Sequence, residues 1–317
     1  MEKQLVLYLD NCVFSKILEP GNAGLRRYFS NIPHRLAFSD IHLTEMRGNR
    51  DEYAKLLDDL NAVFVRNPGA IHNRYHPISS LDSGEPFRRF SEHLEFAPAF
   101  DAFEAILSFM QHLLGGRRES KMQDIAVSAD ARIKSSLAEL LSSATGGVFE
   151  GMIANFYPRI DEVTQNISSL DVDSGWRWID AHARVAREGD PMRDMHPLEK
   201  VNYLFSLLDP TESMQLVELF PKGFARHKVL KNGDMAGFAF MLFSLGLTKR
   251  KGIFSGSRQE KKFVAQFRDA MHIEEASRCD CFITFDQGAF ELASASFAYA
   301  GFSTRTILLK GAEHKST

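Results

Sequence analysis

Residues Leu5–Asp10 read LVLYLD, and residues Cys281–Asp286 read CFITFD. Each is a short, continuous apolar run closed by an aspartate. Apolar runs of this length, without alternation, predict strands covered on both faces, as in a parallel sheet. Between them the same logic predicts a strand over Arg35–Ser39 (RLAFS), and beyond them one over Thr306–Leu309 (TILL). Helices are expected over Phe14–Leu18, stopped by Pro20-Gly21, from Asp40 through Glu45, over Gln259–Arg278, and from Phe290 to Ala298. On Gln259–Arg278 the residues Phe263, Phe267, Ala270, Ile273 and Ala276 share one side, which marks an amphipathic helix. Strand and helix alternate at both ends of the chain, so the expected class is α/β.

The middle reads differently. Segments 51–64, 99–114, 119–142, 148–169, 175–187, 197–208 and 233–247 carry helical periodicity, and 66–92 is rich in Pro and Gly. No fixed repeat is present. The expectation is a discontinuous α/β core from 1–50 and 258–317, with 51–257 as a mostly helical insertion or second lobe.

Composition sets the outer limits. The chain has 317 residues, 44% of them hydrophobic and 25% charged, with a net charge of −3. That is enough apolar material for one large core or two smaller ones. Cys12, Cys279 and Cys281 are too few for a disulfide framework and form no CxxC pair, so they are expected as reduced thiols on buried strands. The apolar run before Asp10 is too short for a signal peptide. The most apolar stretch, Met235–Leu247, falls short of the ~20 residues of a membrane helix. No membrane partner and a cytoplasmic location are the expectations. The stretch MAGFAFMLFSLG reads as a buried helix of the insertion, with a homodimer interface as its second reading.

The two terminal aspartates matter most. In parallel α/β sheets ligands bind outside the carboxyl ends of the strands. Asp10 and Asp286 therefore point at one crevice. Glu45, near the start of the helix after the second strand, and Asp269, on the helix before CFITF, face the same rim. Four convergent carboxylates repel one another unless one takes up a proton or a cation sits between them. Mg²⁺ or Mn²⁺, which prefer oxygen ligands and serve phosphoryl chemistry, suit such a set.

The motifs around these acids resemble those of PIN-domain nucleases. Leu9-Asp10-Asn11-Cys12-Val13-Phe14 is similar to the family's first motif, a hydrophobic strand followed by Asp, Asn or Thr, then Val or Ile and Phe. FSDIHLTEMRG resembles the second, with Ser39 at a strand end and Glu45 on the helix. RDAMHIEEASRCDCFITFDQGAF is the most specific match, through Asp269, Ala276, Asp280, Thr284 and Asp286. The resemblance spans about 4–48 and 260–310. It implies a five-stranded parallel sheet in the order 3-2-1-4-5 and a metal-dependent ribonuclease, of toxin or phage-defence type, with RNA as substrate and a protein inhibitor or antitoxin as a partner class. It also implies Asp10, Glu45, Asp269 and Asp286 as the catalytic, metal-site residues. Asp10 and Asp286 would be direct ligands, Asp269 direct or through water, and Glu45 would hold metal-bound water or a second metal. Thr284 and Ser39 would orient the carboxylates, and Asn11 would contact metal-bound water or the phosphate. Asp280 is expected to begin its strand and cap the preceding helix.

Local charge agrees with a nucleic-acid partner. From Lys222 to Arg268 eleven basic residues face only Asp234 and Glu260, a local charge of +9 inside a chain of −3. Lys249, Arg250, Lys251, Arg258, Lys261 and Lys262 lie just ahead of Asp269 and are the expected RNA-binding set. Rival signals are weaker. His272 reads as a packed histidine, with a proton shuttle or phosphate contact as its functional alternative. His72 and His76 have i,i+4 spacing but are followed by Pro77, which argues against a helical zinc site. Trp176 and Trp178 fall on different helix faces and are expected in the core. A haloacid-dehalogenase-like phosphatase needs a second Asp where Cys12 stands, and a flap-type DNA nuclease carries more acids. A PIN-like scaffold that binds RNA or protein without cutting is the non-enzymatic alternative, and the presence of all four acids argues against it.

Overall fold

The computed structural model describes residues 4–65, 81–82, 84–95, 122–143, 161–162, 165, 173–227, 230–231, 233–248 and 259–310. Its sheet is built from β1 (Val6–Leu9), β2 (Arg35–Phe38), β3 (Val63–Val65), β4 (Leu81–Asp82), β5 (Cys281–Thr284) and β6 (Arg305–Leu308). The order is β4-β3-β2-β1-β5-β6, with every pair parallel except β3 with β4. The expected five strands in the order 3-2-1-4-5 are thus corrected to six. The added strand is a two-residue antiparallel edge. Numbered without it, the five parallel strands still run 3-2-1-4-5. Close approach at this edge needs Gly84, since a Cβ there would stand 2.0 Å from the Ala62 carbonyl oxygen. A second correction concerns 51–64. Its helix stops at Asp59, and Val63–Val65, β-branched and aromatic, joins the sheet instead.

The helices are α1 (Asn11–Leu18), α2 (Ala23–Asn31), α3 (Asp40–Met46), α4 (Arg50–Asp59), α5 (Pro86–Glu95), α6 (Met122–Ser143), α7 (Asp173–Arg187), α8 (Pro197–Ser206), α9 (Pro210–Leu219), α10 (Phe224–His227), α11 (Asp234–Ser244), α12 (Gln259–Ala276) and α13 (Gln287–Ala300). The expected segments 99–114 and most of 148–169, and the pair His72 and His76, lie outside the described residues.

The strand period of two sorts the side chains. Leu7, Leu9, Leu36, Phe38, Phe64, Cys281 and Ile283 enter one core together with Val13, Phe14 and Ile17 of α1, Leu43 and Met46 of α3, and Leu56 and Leu57 of α4. Tyr8, Ala37 and Phe282, paired across neighbouring strands, lie on the other face and are fully buried. Both faces are covered, which is why the strands read as continuous apolar runs.

The chain divides into two compact units. One comprises Met1–Phe90, Ala183–Lys249 and Gln266–Thr317; the other comprises Ser91–His182 and Arg250–Ala265. Residues 51–90 and 183–249, placed by sequence with the insertion, thus belong to the sheet-bearing unit. In that unit α8 and α11 pack on α13. The apolar helix within MAGFAFMLFSLG is buried there, with the Phe238 ring stacked on Tyr299 at 5.0 Å and Phe220 and Phe224 beside it. Its first residue is preceded by Gly233 at φ +93°, a left-handed conformation that favours glycine. Trp178, expected in the core, is 38% exposed. All three cysteines are free, but only Cys281 is on a strand; Cys12 lies in the first turn of α1 and Cys279 in the turn before β5. Among the described residues no helix is long and apolar enough to cross a membrane.

Candidate functional site

β1 and β5 are central neighbours from which the chain runs outward in opposite directions, so the crevice at their carboxyl ends is a topological switch point. The register pairs Leu9 with Ile283, and the Asp10 N–H donates to the Ile283 carbonyl at 2.9 Å. One residue further along, Thr284 comes to Asp10. The Thr284 hydroxyl donates to Asp10 Oδ2 at 2.5 Å and accepts the Asp286 N–H at 2.9 Å. Thr284 is thus hydrogen-bonded to one oxygen of the Asp10 carboxylate. Cys12 completes this corner. Its thiol donates to Asp10 Oδ2 at 3.2 Å and accepts from the Phe285 N–H at 3.4 Å. Burial, reinforced by the charge of Asp10, pushes the thiol up to about 12. It stays protonated at neutral pH and is a donor rather than a nucleophile.

The other acids arrive from three helices. Asp286 is exposed and serves as the N-cap of α13, where Oδ1 accepts the Ala289 N–H at 2.9 Å. Helix capping thus occupies one oxygen of the residue expected from sequence as a direct ligand. Asp269 accepts from the Gln266 amide at 2.9 Å. Its carboxyl is raised well above the ordinary carboxylate range, first by burial and then by the charges of Asp10, Asp286 and Glu45. The four acids foreseen from sequence therefore share one electrostatic neighbourhood. Asp280 is apart from them: its Oδ2 accepts the Val6 N–H at 2.9 Å, at the amino end of β1.

Glu45 has the densest set of partners. Its Oε2 lies 3.0 Å from His272 Nε2, and its Oε1 lies 3.8 Å from the Arg268 guanidinium. Asn11 also bonds its carboxylate, while Asn11 Oδ1 is buried without a hydrogen-bond partner. Burial alone raises the Glu45 carboxyl, but the His272 bond and charge, then Arg268 and Asn11, outweigh it and hold it below its ordinary value. His272 is the mirror case. Burial lowers it, and the Glu45 bond and charge more than restore it, so it sits above its ordinary value.

Ser39 departs from its expected role. Its hydroxyl meets the Tyr8 hydroxyl at 2.8 Å rather than a carboxylate. Tyr8 in turn meets His272 Nδ1 at 2.8 Å, so Ser39 reaches Glu45 only through two intermediaries. Tyr8, His42 and Arg268 are the residues that sequence reasoning passed over. Signals were present for two of them: His42 is three residues after Ser39, and Arg268 closes the basic span. Of the expected RNA-binding set, Lys249, Arg250, Lys251 and Arg258 lie outside the described residues, Lys261 lies on α12, and Lys262 is exposed on the same helix.

Chemically, the rim offers oxygen donors, excess negative charge and one buried orphan oxygen. Among the described residues no three His, Cys, Asp or Glu side chains form a ready-made metal-ligand group. Comparison of the chain with protein-family models, with curated proteins and with solved structures gives no match.

Proposed function

We propose that the protein is a divalent-metal-dependent endoribonuclease whose reaction takes place at the carboxyl rim of β1 and β5. The observation that carries this is the gathering of Asp10, Glu45, Asp269 and Asp286 around a switch point, with Asp269 raised first by burial and then by the charges of the other three. Mg²⁺ or Mn²⁺ suits this all-oxygen donor set, and its charge would relieve the repulsion among the acids. Asp10, Asp269 and Asp286 are the residues to hold it, with Glu45 beside them. A bound cation would supply Lewis acidity to a water and a counter-charge for the leaving oxygen. The chain's own residues do the rest. Thr284 and Cys12 aim the Asp10 carboxylate, and Asn11 presents an unpaired oxygen. Arg268, the last basic residue of the +9 span, stands at the rim where a phosphate backbone would approach.

The test is incubation of the purified chain with end-labelled single-stranded RNA, structured RNA and single-stranded DNA, with Mn²⁺, with Mg²⁺ or with EDTA. RNA cleavage that needs the metal and falls to the protein-free level in Asp10→Asn supports the reading. No cleavage with either metal, or equal cutting by Asp10→Asn, overturns it. The want of a ready-made ligand group among the described residues favours a second reading, an inactive module that binds RNA or protein. RNA retained uncut in the same assay would select it.

A further inference from the structure

Behind Glu45 runs a chain of buried polar side chains. From the rim inward, Glu45 Oε2 meets His272 Nε2 at 3.0 Å, His272 Nδ1 meets the Tyr8 hydroxyl at 2.8 Å, and that hydroxyl meets Ser39 Oγ at 2.8 Å. The Ser39 N–H donates to His42 Nδ1 at 3.0 Å, and His42 Nε2 donates to the Leu9 carbonyl at 2.7 Å. Tyr8, Ser39, His42 and His272 are each at most 1% exposed. Four buried polar side chains are costly unless every one is bonded, and apolar residues of the same shape would fill the space with less risk. The chain joins β1, the start of α3 and α12, and its described outlet is the Glu45 carboxylate.

We propose that His272 is a positioning residue for Glu45, holding that carboxylate in one orientation at the rim, with Tyr8 and Ser39 fixing the imidazole in turn. The inference rests on the reading of the rim as a reaction site. A free glutamate side chain has several rotamers, and ordering one costs side-chain entropy. Here that order is supplied beforehand. His42 defines the inner end: it accepts at Nδ1, so its proton is on Nε2 and the ring is neutral, and burial followed by the charge of His272 pushes it well below its ordinary value. The remaining bonds have two self-consistent directions. With His272 neutral, Tyr8 donates to its Nδ1 and accepts from Ser39. With His272 charged, its Nδ1–H donates to Tyr8, which donates to Ser39. In both, Nε2–H points at Glu45. The grip on Glu45 is therefore independent of which direction the chain takes.

The experiment uses Tyr8→Phe, His272→Leu and His272→Gln in the full chain, with two readouts: kcat and KM for RNA cleavage in Mn²⁺, and the Glu45 side chain in crystal structures of wild type and variants. Loss of such a supporting contact is expected to lower kcat by about 10–100-fold with KM for RNA unchanged, least in Tyr8→Phe and most in His272→Leu. His272→Gln, which keeps an N–H donor, recovers part of the loss. Glu45 should be single in the wild type and spread over rotamers in His272→Leu. An unchanged kcat, or Glu45 held in the same single orientation without the imidazole, overturns the proposal. If wild type cuts no RNA, the nuclease reading fails alone, and the Glu45 conformations still decide the positioning role. If His272→Leu does not fold, Tyr8→Phe, which removes one oxygen, decides by the same two readouts.

Discussion

Arg278, two residues past the end of α12, is wholly buried, and its guanidinium meets Glu275 at 2.8 Å and Glu274 at 3.5 Å. Glu274 also accepts the N–H groups of Gly233 at 2.6 Å and Ala236 at 3.0 Å, which ties α12 to the first turn of α11. Here two acids meet one guanidinium and the amides of a helix start, so each charge has its answer. Less than two turns earlier on the same helix, Arg268, Asp269 and His272 face a different balance. Asp10, Glu45 and Asp286 join Asp269, and the described cations there are Arg268 and His272, both facing Glu45. The excess shows in the raised Asp269 carboxyl. One cluster is closed and holds helices together. The other is left negative, the condition of a site that gains stability from a cation or a cationic partner.

The largest effect should come from breaking the closed cluster. Arg278→Met leaves Glu274 and Glu275 buried without their cation and should lower the unfolding free energy by about 3–5 kcal/mol, measured by urea denaturation. Against the open cluster, Thr284→Val keeps shape but removes the hydroxyl that aims Asp10. RNA cleavage should fall about 10–100-fold while the urea midpoint moves much less than in Arg278→Met.

A smaller effect is expected from Glu45→Gln, and it should depend on pH. His272 is raised on folding, so its contribution is complete below its unfolded value near 6.5 and fades as pH rises through the folded one. Glu45 is lowered, so its contribution is complete above its unfolded value near 4.5 and fades as pH falls through the folded one. The substitution should therefore destabilise most between about pH 4.5 and 6.5, with thermal melts across pH as the check. A flat difference would mean the pair is not charged. The smallest effect is a gain. Asp269 is raised on folding, so the wild type loses stability as pH climbs above about 3.8 towards the folded value. Asp269→Asn should melt higher than wild type without metal at pH 7–8. That advantage should shrink as pH falls towards 4 and reverse when Mn²⁺ is added.

What the sequence made legible follows from distance along the chain. LVLYL and CFITF read as buried strands because each carries its whole signal in five residues, and the acids at their ends follow from the geometry of parallel sheets. Val63–Val65 did not, because three residues at the tail of a helical period give too little pattern to mark a change of period. Asp286 reads the same from sequence whether it caps a helix or faces a ligand, and it caps α13. The bond from Tyr8 to His272 spans 264 residues. No local pattern encodes it, since only the stacking of α12 on the β1 face brings the two together.

The shortest hydrogen bond at the rim, from Thr284 to Asp10, joins residues 274 positions apart. Its consequence is one of timing. During synthesis β1 is among the first strands to emerge, while β5, its partner on one side, is made near the end. Until then Asp10 has neither the hydroxyl that aims it nor Asp269 and Asp286 beside it, and one edge of β1 stands open. The rim is thus incomplete until α12 and β5 have both been made and β5 has paired with β1.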